Sequence, residues 1–199
     1  MLDAPFSLEE VEKVLTSIGP HKALGTDDFH AAFLQNNWGL MQNDILEACL
    51  KVLNGGESVK KINKTIVVLI PKNENLMYTD FRPISLCKVV YKIISKPIAN
   101  RLRKVLGPLI AENQSAFVHG RYITDNAILA FELLHSMSKI YSGKANYMTL
   151  KIDMSKAYDW VEWDFDDVML SKKGFPPRLR ALILILLHQL AFPSRSMGS

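Results

Sequence analysis

Cysteine is scarce in this sequence, and its scarcity argues against two classes of small protein. The 199 residues contain two cysteines, Cys49 and Cys87, which form no CxxC motif. Disulfide frameworks and structural zinc sites need more thiols at closer spacing, so both are disfavoured and a reducing compartment fits. The five histidines show no HxxxH or HExxH spacing, which leaves hydrolytic zinc chemistry without support.

Long hydrophobic runs are also missing. The longest, ALILILL at residues 181–187, is far shorter than the roughly 20 apolar residues that a membrane span needs. The first residues, MLDAPFSLEEVEK, are acidic and lack the basic-then-apolar order of a signal peptide. We therefore expect an intracellular protein, nuclear or cytoplasmic, with no membrane partner.

Charge is distributed unevenly along the chain. Residues 1–50 hold 2 basic and 8 acidic side chains, residues 51–121 hold 13 and 4, and residues 122–199 hold 9 and 8. A basic block of this kind can be a surface that faces phosphates. It can equally be a solvated face whose lysines serve solubility, and charge alone does not decide between the two.

Apolar periodicity predicts mostly helices. Ser7 followed by Glu10 is a capping box that begins the first helix, and Gly19-Pro20 ends it. The run INKTIVVLIPK, residues 62–72, is rich in β-branched residues and predicts a strand. The other predicted elements are helices at residues 29–53, 84–106, 122–141, 160–173 and 177–190, a strand at residues 147–153, and a loop at residues 73–83. This order indicates a mixed α+β domain.

The helix predicted over residues 84–106 has two notable features. Pro97 lies inside it and is expected to kink or split it, at a cost of roughly 3 kcal/mol. The face opposite its apolar positions carries Lys88, Lys92, Lys96, Arg101, Arg103 and Lys104. This basic face could track a nucleic-acid backbone, or it could be a solvated amphipathic face.

Three longer stretches carry a family resemblance. They are VVLIPKNENLMYTDFRPISLCKVVYKIISKPIANRL, NQSAFVHGRYITDNAILAFELLH and YMTLKIDMSKAYDWVEW. In order and spacing they resemble the first sequence blocks of reverse transcriptases from non-LTR retrotransposons, above all the long interspersed elements common in plant genomes. The stretch IGPHKALGTDDFHAAFLQNNW resembles the block just upstream. No single motif decides the resemblance, which covers nearly the whole chain.

The resemblance implies a right-hand polymerase fold of the α+β class, largely helical with short antiparallel strands. Residues 1–125 would form a fingers-like region, residues 126–190 a partial palm with the first catalytic strand, and residues 191–199 a ragged tail. The implied activity is RNA-directed DNA polymerisation. Its partners would be an RNA template, a DNA primer and deoxynucleotides.

Asp153 stands where the resembling enzymes have their first catalytic carboxylate. The resemblance implies that this carboxylate and the backbone carbonyl of Met154 bind Mg²⁺, a hard cation that prefers oxygen ligands. Taken alone, an aspartate after a strand is more often a turn former or a helix cap. Tyr158 would pack against the sugar of the incoming nucleotide and disfavour ribonucleotides, and the alternative is a core aromatic.

The resemblance also implies roles for five polar or flexible residues. Lys72 and Arg82 flank the finger loop and would approach the nucleotide triphosphate, lysine as a point charge and arginine as a planar fork. Gln114, Gly120 and Arg121 lie in NQSAFVHGR, which resembles the block along the template. The alternatives are ordinary surface cations and a loop glycine.

The second catalytic carboxylate has no counterpart here. In the family it lies in a hairpin with two adjacent aspartates, but the adjacent aspartates of this sequence, Asp27-Asp28 and Asp166-Asp167, are not at predicted hairpin turns. The acidic residues after Asp153 fit a strand-to-helix junction and a helix dipole instead; they are Asp159, Glu162, Asp164, Asp166 and Asp167. We therefore expect a truncated domain that is inactive on its own.

Several residues depart from the family pattern. KALGTDDF replaces a typical KAPGPDGF, His119 stands where proline is usual, and Trp160 stands where arginine is common. These changes suggest a copy that drifts without selection for activity. Two further functions therefore stay open: a non-catalytic module that binds RNA or DNA through the basic block, and an inert pseudogene product with exposed apolar surface.

Overall fold

The computed structural model describes most of the chain. The described residues are 2–22, 25, 27, 29–55, 57–59, 62–63, 65–72, 81–139, 148–152 and 160–188. They divide into two compact units. The first unit is formed by Met1–Arg101 together with Asp167–Ser199, and the second by Leu102–Asp166.

Helices dominate the described residues. They are α1 (Leu8–Ser17), α2 (Ala31–Asn36), α3 (Trp38–Gly55), α4 (Val89–Leu109), α5 (Ile123–Lys139), α6 (Trp163–Lys172) and α7 (Pro177–His188). Two strands, β1 (Ile66–Pro71) and β2 (Phe81–Leu86), pair in one antiparallel sheet. The predicted mixed α+β class, largely helical with short antiparallel strands, is confirmed at this level. No helix among the described residues is long and apolar enough to cross a membrane.

The capping box at the start of α1 forms as predicted. The Ser7 hydroxyl accepts the backbone N–H of Glu10 at 3.3 Å, and the Glu10 carboxylate accepts the backbone N–H of Ser7 at 3.0 Å. These two bonds satisfy donors that a helix start leaves without a partner. They orient α1 so that Val11, Val14 and Leu15 are buried.

The single helix predicted over residues 29–53 is two helices, α2 and α3. The chain leaves helical geometry at Asn37, which has φ −106° and ψ 18°. The Asn37 side chain donates to the carbonyl of Phe33 at 2.8 Å, and its own carbonyl accepts the N–H of Leu40 at 3.0 Å. The Asn37 N–H also donates to Phe33 O, at 3.1 Å, so this carbonyl accepts both the backbone and the side chain of Asn37.

The core of the first unit lies among α1, α2 and α3, which contact one another, and includes buried faces of α4 and α7. Its largest fully buried apolar side chains are Leu53, Ile93, Ile94, Leu179, Val11, Val14 and Val59.

Burial raises the pKa of the Cys49 thiol to about 12, so this cysteine stays protonated at neutral pH. Burial, with a smaller contribution from Cys87, also raises the pKa of Tyr91 to about 12. The Tyr91 hydroxyl donates to the Leu186 carbonyl at 3.1 Å and ties α4 to α7.

Helices α1 and α3 of the first unit end without a basic residue in their last turn, and distant side chains bind their free carbonyls instead. At α1, Lys96 Nζ donates to Ser17 O at 2.9 Å. At α3, the Arg178 guanidinium donates to the carbonyls of Leu53 and Asn54, each at 3.4 Å. Cations at helix C-termini also complement the helix dipole. Several cations of this chain are therefore structural.

One strand of the β1–β2 hairpin was predicted from the sequence, and the other was not. The strand predicted over residues 62–72 is confirmed as β1, but β2 occupies residues predicted as loop and as the start of a helix. The pairing runs from Ile66 opposite Leu86 to Pro71 opposite Phe81. Pro83 lies inside β2, and in a two-stranded sheet every strand is an edge strand, where proline is tolerated.

Helix α4 runs without a break through Pro97, so the predicted split is wrong. Pro97 is buried together with Ile93, Ile94 and Ile98. A proline removes one backbone hydrogen bond and crowds the preceding turn. Burial of a continuous apolar face outweighs that cost, because each buried aliphatic side chain contributes about 1.5–3 kcal/mol.

The second unit contains the end of α4, the helix α5 and the start of α6. The helix predicted over residues 122–141 is confirmed as α5, and those predicted over 160–173 and 177–190 as α6 and α7. The strand predicted over residues 147–153 is not formed by residues 148–152, which have no assigned secondary structure. Met148 is 86% exposed and Ile152 is 82% exposed. A strand needs a neighbouring strand to satisfy its backbone groups, and the described part of the chain pairs none with this segment.

Candidate functional site

The hairpin brings Lys72 and Arg82 to the same end of the β1–β2 sheet. Arg82 pairs with Ile70, and Lys72 follows Pro71, the last residue of β1. Both side chains are exposed. Among the residues that the structure describes, neither cation forms an ion pair. Two exposed cations at one end of a hairpin, ten positions apart in sequence, can meet one polyanionic ligand.

Arg121 is bound tightly to the backbone of its own unit. Its Nη1 donates to Ala111 O and Gln114 O, both at 2.6 Å. Its Nη2 donates to Gly107 O at 3.0 Å and to Ile110 O at 3.2 Å. The four terminal N–H groups of the guanidinium thus bind carbonyls at and after the end of α4, which has no basic residue in its last turn. Arg121 therefore fixes the loop that carries Gln114 and Gly120.

Gln114 and Gly120 lie on that loop. Gln114 Nε2 donates to the Ala116 carbonyl at 3.2 Å, and its side chain is exposed. Gly120 has φ +81°, in the left-handed region that favours glycine, and a Cβ placed on it would meet nothing within 4 Å. The position requires glycine for its backbone conformation. The predicted template contacts of Gln114, Gly120 and Arg121 stay predictions.

We expect Gly120→Ala to lower the free energy of unfolding by about 1–2 kcal/mol, because an L side chain disfavours the left-handed backbone. Gly107→Ala is the matched control. Gly107 lies in α4, where a Cβ meets nothing within 4 Å, so this change should stabilise by about 0.5–1 kcal/mol. Chemical denaturation of both variants gives the comparison. Equal effects of the two substitutions would contradict the role assigned to the Gly120 backbone.

Phe117 is a functional candidate that the sequence did not single out. It is the one non-glycine residue with positive φ in the described part of the chain, at +62°, and its side chain is 93% exposed. An aromatic residue held in a disfavoured conformation and turned to solvent is uncommon, and such strain clusters at binding sites. Its place between Gln114 and Gly120 is the only sequence signal that points to it.

The basic face predicted on α4 is smaller than its sequence suggests. Arg101 is 5% exposed and bonds to both carboxylate oxygens of Glu10. Lys96 donates to the end of α1. The prediction that Arg101 belongs to an exposed basic face is wrong, because its partner lies 91 residues away in the sequence.

Comparison with known proteins decides the family. Residues 70–196 match the family described as reverse transcriptase (RNA-dependent DNA polymerase), and this range is well over half of the chain. The chain belongs to the reverse transcriptase family. Family membership, predicted from the sequence blocks, is thereby confirmed.

This reverse transcriptase domain is also similar to a transposon protein. The 149 kDa protein of transposon TX1 from Xenopus laevis, which is described as uncharacterized, is 30% identical to it over 178 residues. The similarity covers 89% of this chain and 13% of the Xenopus protein. The chain therefore spans a small part of the relative's length.

Reverse transcriptases use divalent metal ions, so the acidic residues of this domain are candidate metal ligands. Asp153, Met154, Tyr158 and Asp159 lie outside the described residues. Those that are described include Asp164 and Asp166 in the first turn of α6, and Asp167, whose carboxylate is 3.5 Å from Arg180 Nε. Within the described ranges, no three histidine, cysteine or acidic side chains are grouped as a metal site needs.

Proposed function

We propose that this chain is the fingers and the beginning of the palm of an RNA-directed DNA polymerase from a non-LTR retrotransposon of the plant type. The observation that carries the proposal is the family match over residues 70–196. Similarity to a transposon protein over 89% of the chain supports the retrotransposon origin. Residues 1–125 would be the fingers and residues 126–190 the partial palm, before a tail at residues 191–199.

The nucleotide would be bound from two sides. Lys72 and Arg82, together at one end of the hairpin, would hold its triphosphate through charge-assisted contacts. Tyr158 would pack against its sugar and exclude a 2′-hydroxyl. Gln114, Gly120 and Arg121 would position the template, with Arg121 acting through the loop that it fixes to the end of α4.

Asp153 and the backbone carbonyl of Met154 would hold Mg²⁺. The ion, when bound, would stabilise charge on the transferred phosphate. A two-metal polymerase site needs a second carboxylate block, and neither double aspartate of the sequence, Asp27-Asp28 or Asp166-Asp167, lies at a predicted hairpin turn. We therefore propose that these residues alone bind a primer–template and do not extend it. The second candidate is a non-catalytic role in nucleic-acid binding. It is favoured because Asp153 has no second carboxylate block beside it in the sequence with which to complete a catalytic site.

Nucleic-acid binding is the property that both candidates share, and its salt dependence tests it. We expect the purified chain to bind a DNA primer annealed to an RNA template, and to lose about tenfold or more of its affinity between 50 and 200 mM salt. Fluorescence anisotropy across a salt series measures this. No binding at low salt, or a flat response to salt, would contradict the proposal and favour the inert pseudogene product.

A further inference from the structure

The loop that carries Phe117 is fixed to the helices on both of its sides in the second unit. Arg121 donates to four backbone carbonyls at and after the end of α4. The Asn126 side chain donates to the Asn113 carbonyl at 3.1 Å and attaches α5 to the same loop. The Phe117 ring is therefore presented from a fixed backbone.

The ring of Phe117 is solvated although residues on both sides of it are buried. Ser115 and Val118 are each 6% exposed, whereas Phe117 is 93% exposed and has φ +62°. One residue thus combines a disfavoured backbone conformation with an apolar ring in water. Glycine would suit this backbone better. A phenylalanine here is explained by contact with a ligand and not by the packing of the unit.

The surroundings of the ring on the loop favour a flat ligand. Apart from Phe117, the exposed residues within 112–120 are polar or lack a side chain; they are Glu112, Asn113, Gln114, His119 and Gly120. Surfaces that meet protein partners are contiguous apolar patches, and this loop offers a single ring. One ring is enough for a nucleobase, because aromatic side chains stack on bases of any sequence.

Cations that suit the phosphates beside such a base lie near the end of α4 in the same unit. Arg103 and Lys104 stand four and three residues before Gly107, whose carbonyl Arg121 binds, and so share its face of α4. Both are exposed, and among the described residues neither takes part in an ion pair. Residues 110–122 contain no lysine and no arginine besides Arg121. The loop thus offers the ring and α4 offers the charge, which is the combination that binds single strands.

We propose that Phe117 stacks on an unpaired base of a single-stranded nucleic acid whose phosphates lie along Arg103 and Lys104. The inference rests on the proposed nucleic-acid binding and narrows it to a strand with unpaired bases. In a duplex the bases stack on one another and leave no face for the ring, so this contact selects single strands. On a template, an unpaired base is one that has not yet been copied.

Variants at Phe117 with a matched control test the stacking. Phe117→Leu removes the ring and keeps an apolar side chain, and Phe117→Tyr keeps the ring. Phe131→Leu is the control, because Phe131 is also an exposed phenylalanine of the second unit, at 74%, but lies in α5. Each variant is titrated by fluorescence anisotropy, across a salt series, with a single-stranded RNA of about 16 nucleotides and with the same RNA annealed to complementary DNA.

We expect Phe117→Leu to bind the single strand about fivefold or more weakly than wild type, the lower end of what one stacked base contributes. Its slope of log K against log salt should stay that of the wild type, because no phosphate contact is lost. Its affinity for the hybrid should be unchanged, as should both affinities of Phe117→Tyr and Phe131→Leu. Arg103→Gln/Lys104→Gln should instead make the slope shallower by about 1.4, or about 0.7 for each phosphate contact on a single strand.

A glycine variant separates a binding role of Phe117 from a structural one. Phe117→Gly removes the ring and suits the positive φ. We expect its midpoint of chemical denaturation to equal or exceed that of the wild type, while its binding of the single strand falls as in Phe117→Leu. A lower midpoint would assign the ring to the fold and overturn the inference.

The remaining outcomes overturn the inference in distinguishable ways. If Phe117→Leu binds the single strand no more weakly than Phe131→Leu does, no base stacks on Phe117, and the proposed function stands. An equal loss for single strand and hybrid would also exclude stacking on an unpaired base. An unchanged slope in Arg103→Gln/Lys104→Gln would contradict the path of the phosphates. If the wild type binds neither nucleic acid, the proposed function fails as well, and self-association that Phe117→Leu abolishes in sedimentation velocity would assign the ring to a contact between two copies of the chain.

Discussion

Arg101→Ala is expected to lower the free energy of unfolding by about 3 kcal/mol. Arg101 Nε and Nη2 donate to the two carboxylate oxygens of Glu10 at 2.9 and 2.6 Å. Its Nη2 also donates to Pro5 O at 2.8 Å, its Nη1 to Ala4 O, and the guanidinium lies 3.6 Å from the centre of the Phe6 ring. One side chain thereby attaches the residues before α1 to α4.

The expected loss of stability in Arg101→Ala follows from the polar groups that the substitution leaves without a partner. The Arg101 side chain is 6% exposed and that of Glu10 is 37% exposed. Breaking a fully buried ion pair costs about 3–5 kcal/mol, and the partial exposure of Glu10 lowers the expected value toward the bottom of that range. Two carbonyls also lose a charged donor, at about 1.5–3 kcal/mol for each such bond when buried.

Arg103→Ala is the matched control for Arg101→Ala. Arg103 is an exposed arginine two positions further along α4, and its removal should change the stability by less than about 0.5 kcal/mol. Chemical denaturation measures both. A double-mutant cycle of Arg101→Met with Glu10→Gln should give a coupling of about 1–3 kcal/mol. Equal stabilities of Arg101→Ala and Arg103→Ala would contradict a structural role for Arg101.

The correct predictions about the fold rest on local signals. The capping box of Ser7 and Glu10 involves residues three positions apart, and α1 begins where it predicts. Helices α5 and α7 follow from uninterrupted apolar periodicity over 17 and 12 residues. Strand β1 is a β-branched run with a proline at its end. In each case the signal lies in neighbouring residues, although β1 also needs its partner strand β2.

The errors arise where distant residues decide the structure. Strand β2 exists because Phe81–Leu86 pairs with β1, and the propensity of FRPISL alone does not show this. The continuity of α4 through Pro97 depends on the burial of that proline, which is a property of the packed unit. Arg101 has the sequence context of a surface cation, and Glu10 becomes its partner only after folding.

In the candidate site, too, local sequence predicts some features, and contacts between distant residues decide the others. The family blocks pointed to Lys72 and Arg82, and the register of the hairpin explains how they come to one end of the sheet. The blocks also pointed to Arg121, but its bonds to four carbonyls depend on the geometry after α4. The strained backbone of Phe117 has no signature in composition or periodicity. Sequence blocks thus identify positions, and the fold assigns their contacts.

The chemistry of the proposed site allows a second prediction with a large expected effect. A two-metal polymerase site uses carboxylates from two separate blocks to hold ions about 4 Å apart. In the proposed site Asp153 would belong to the first block, and neither double aspartate of the sequence, Asp27-Asp28 or Asp166-Asp167, lies at a predicted hairpin turn. We expect these residues to bind a primer–template without adding a nucleotide to it. Positioning and charge stabilisation supply nearly all of the catalysis of phosphoryl transfer, so an incomplete site should leave no detectable rate.

Single-nucleotide incorporation, measured on the sample whose primer–template binding has been established, tests the central claim most directly. The account predicts saturable binding with a steep salt dependence and no incorporation with Mg²⁺, in the wild type and in Asp153→Asn alike. Incorporation by the wild type that Asp153→Asn abolishes would contradict the claim, because a second carboxylate within residues 1–199 would then have to complete the site.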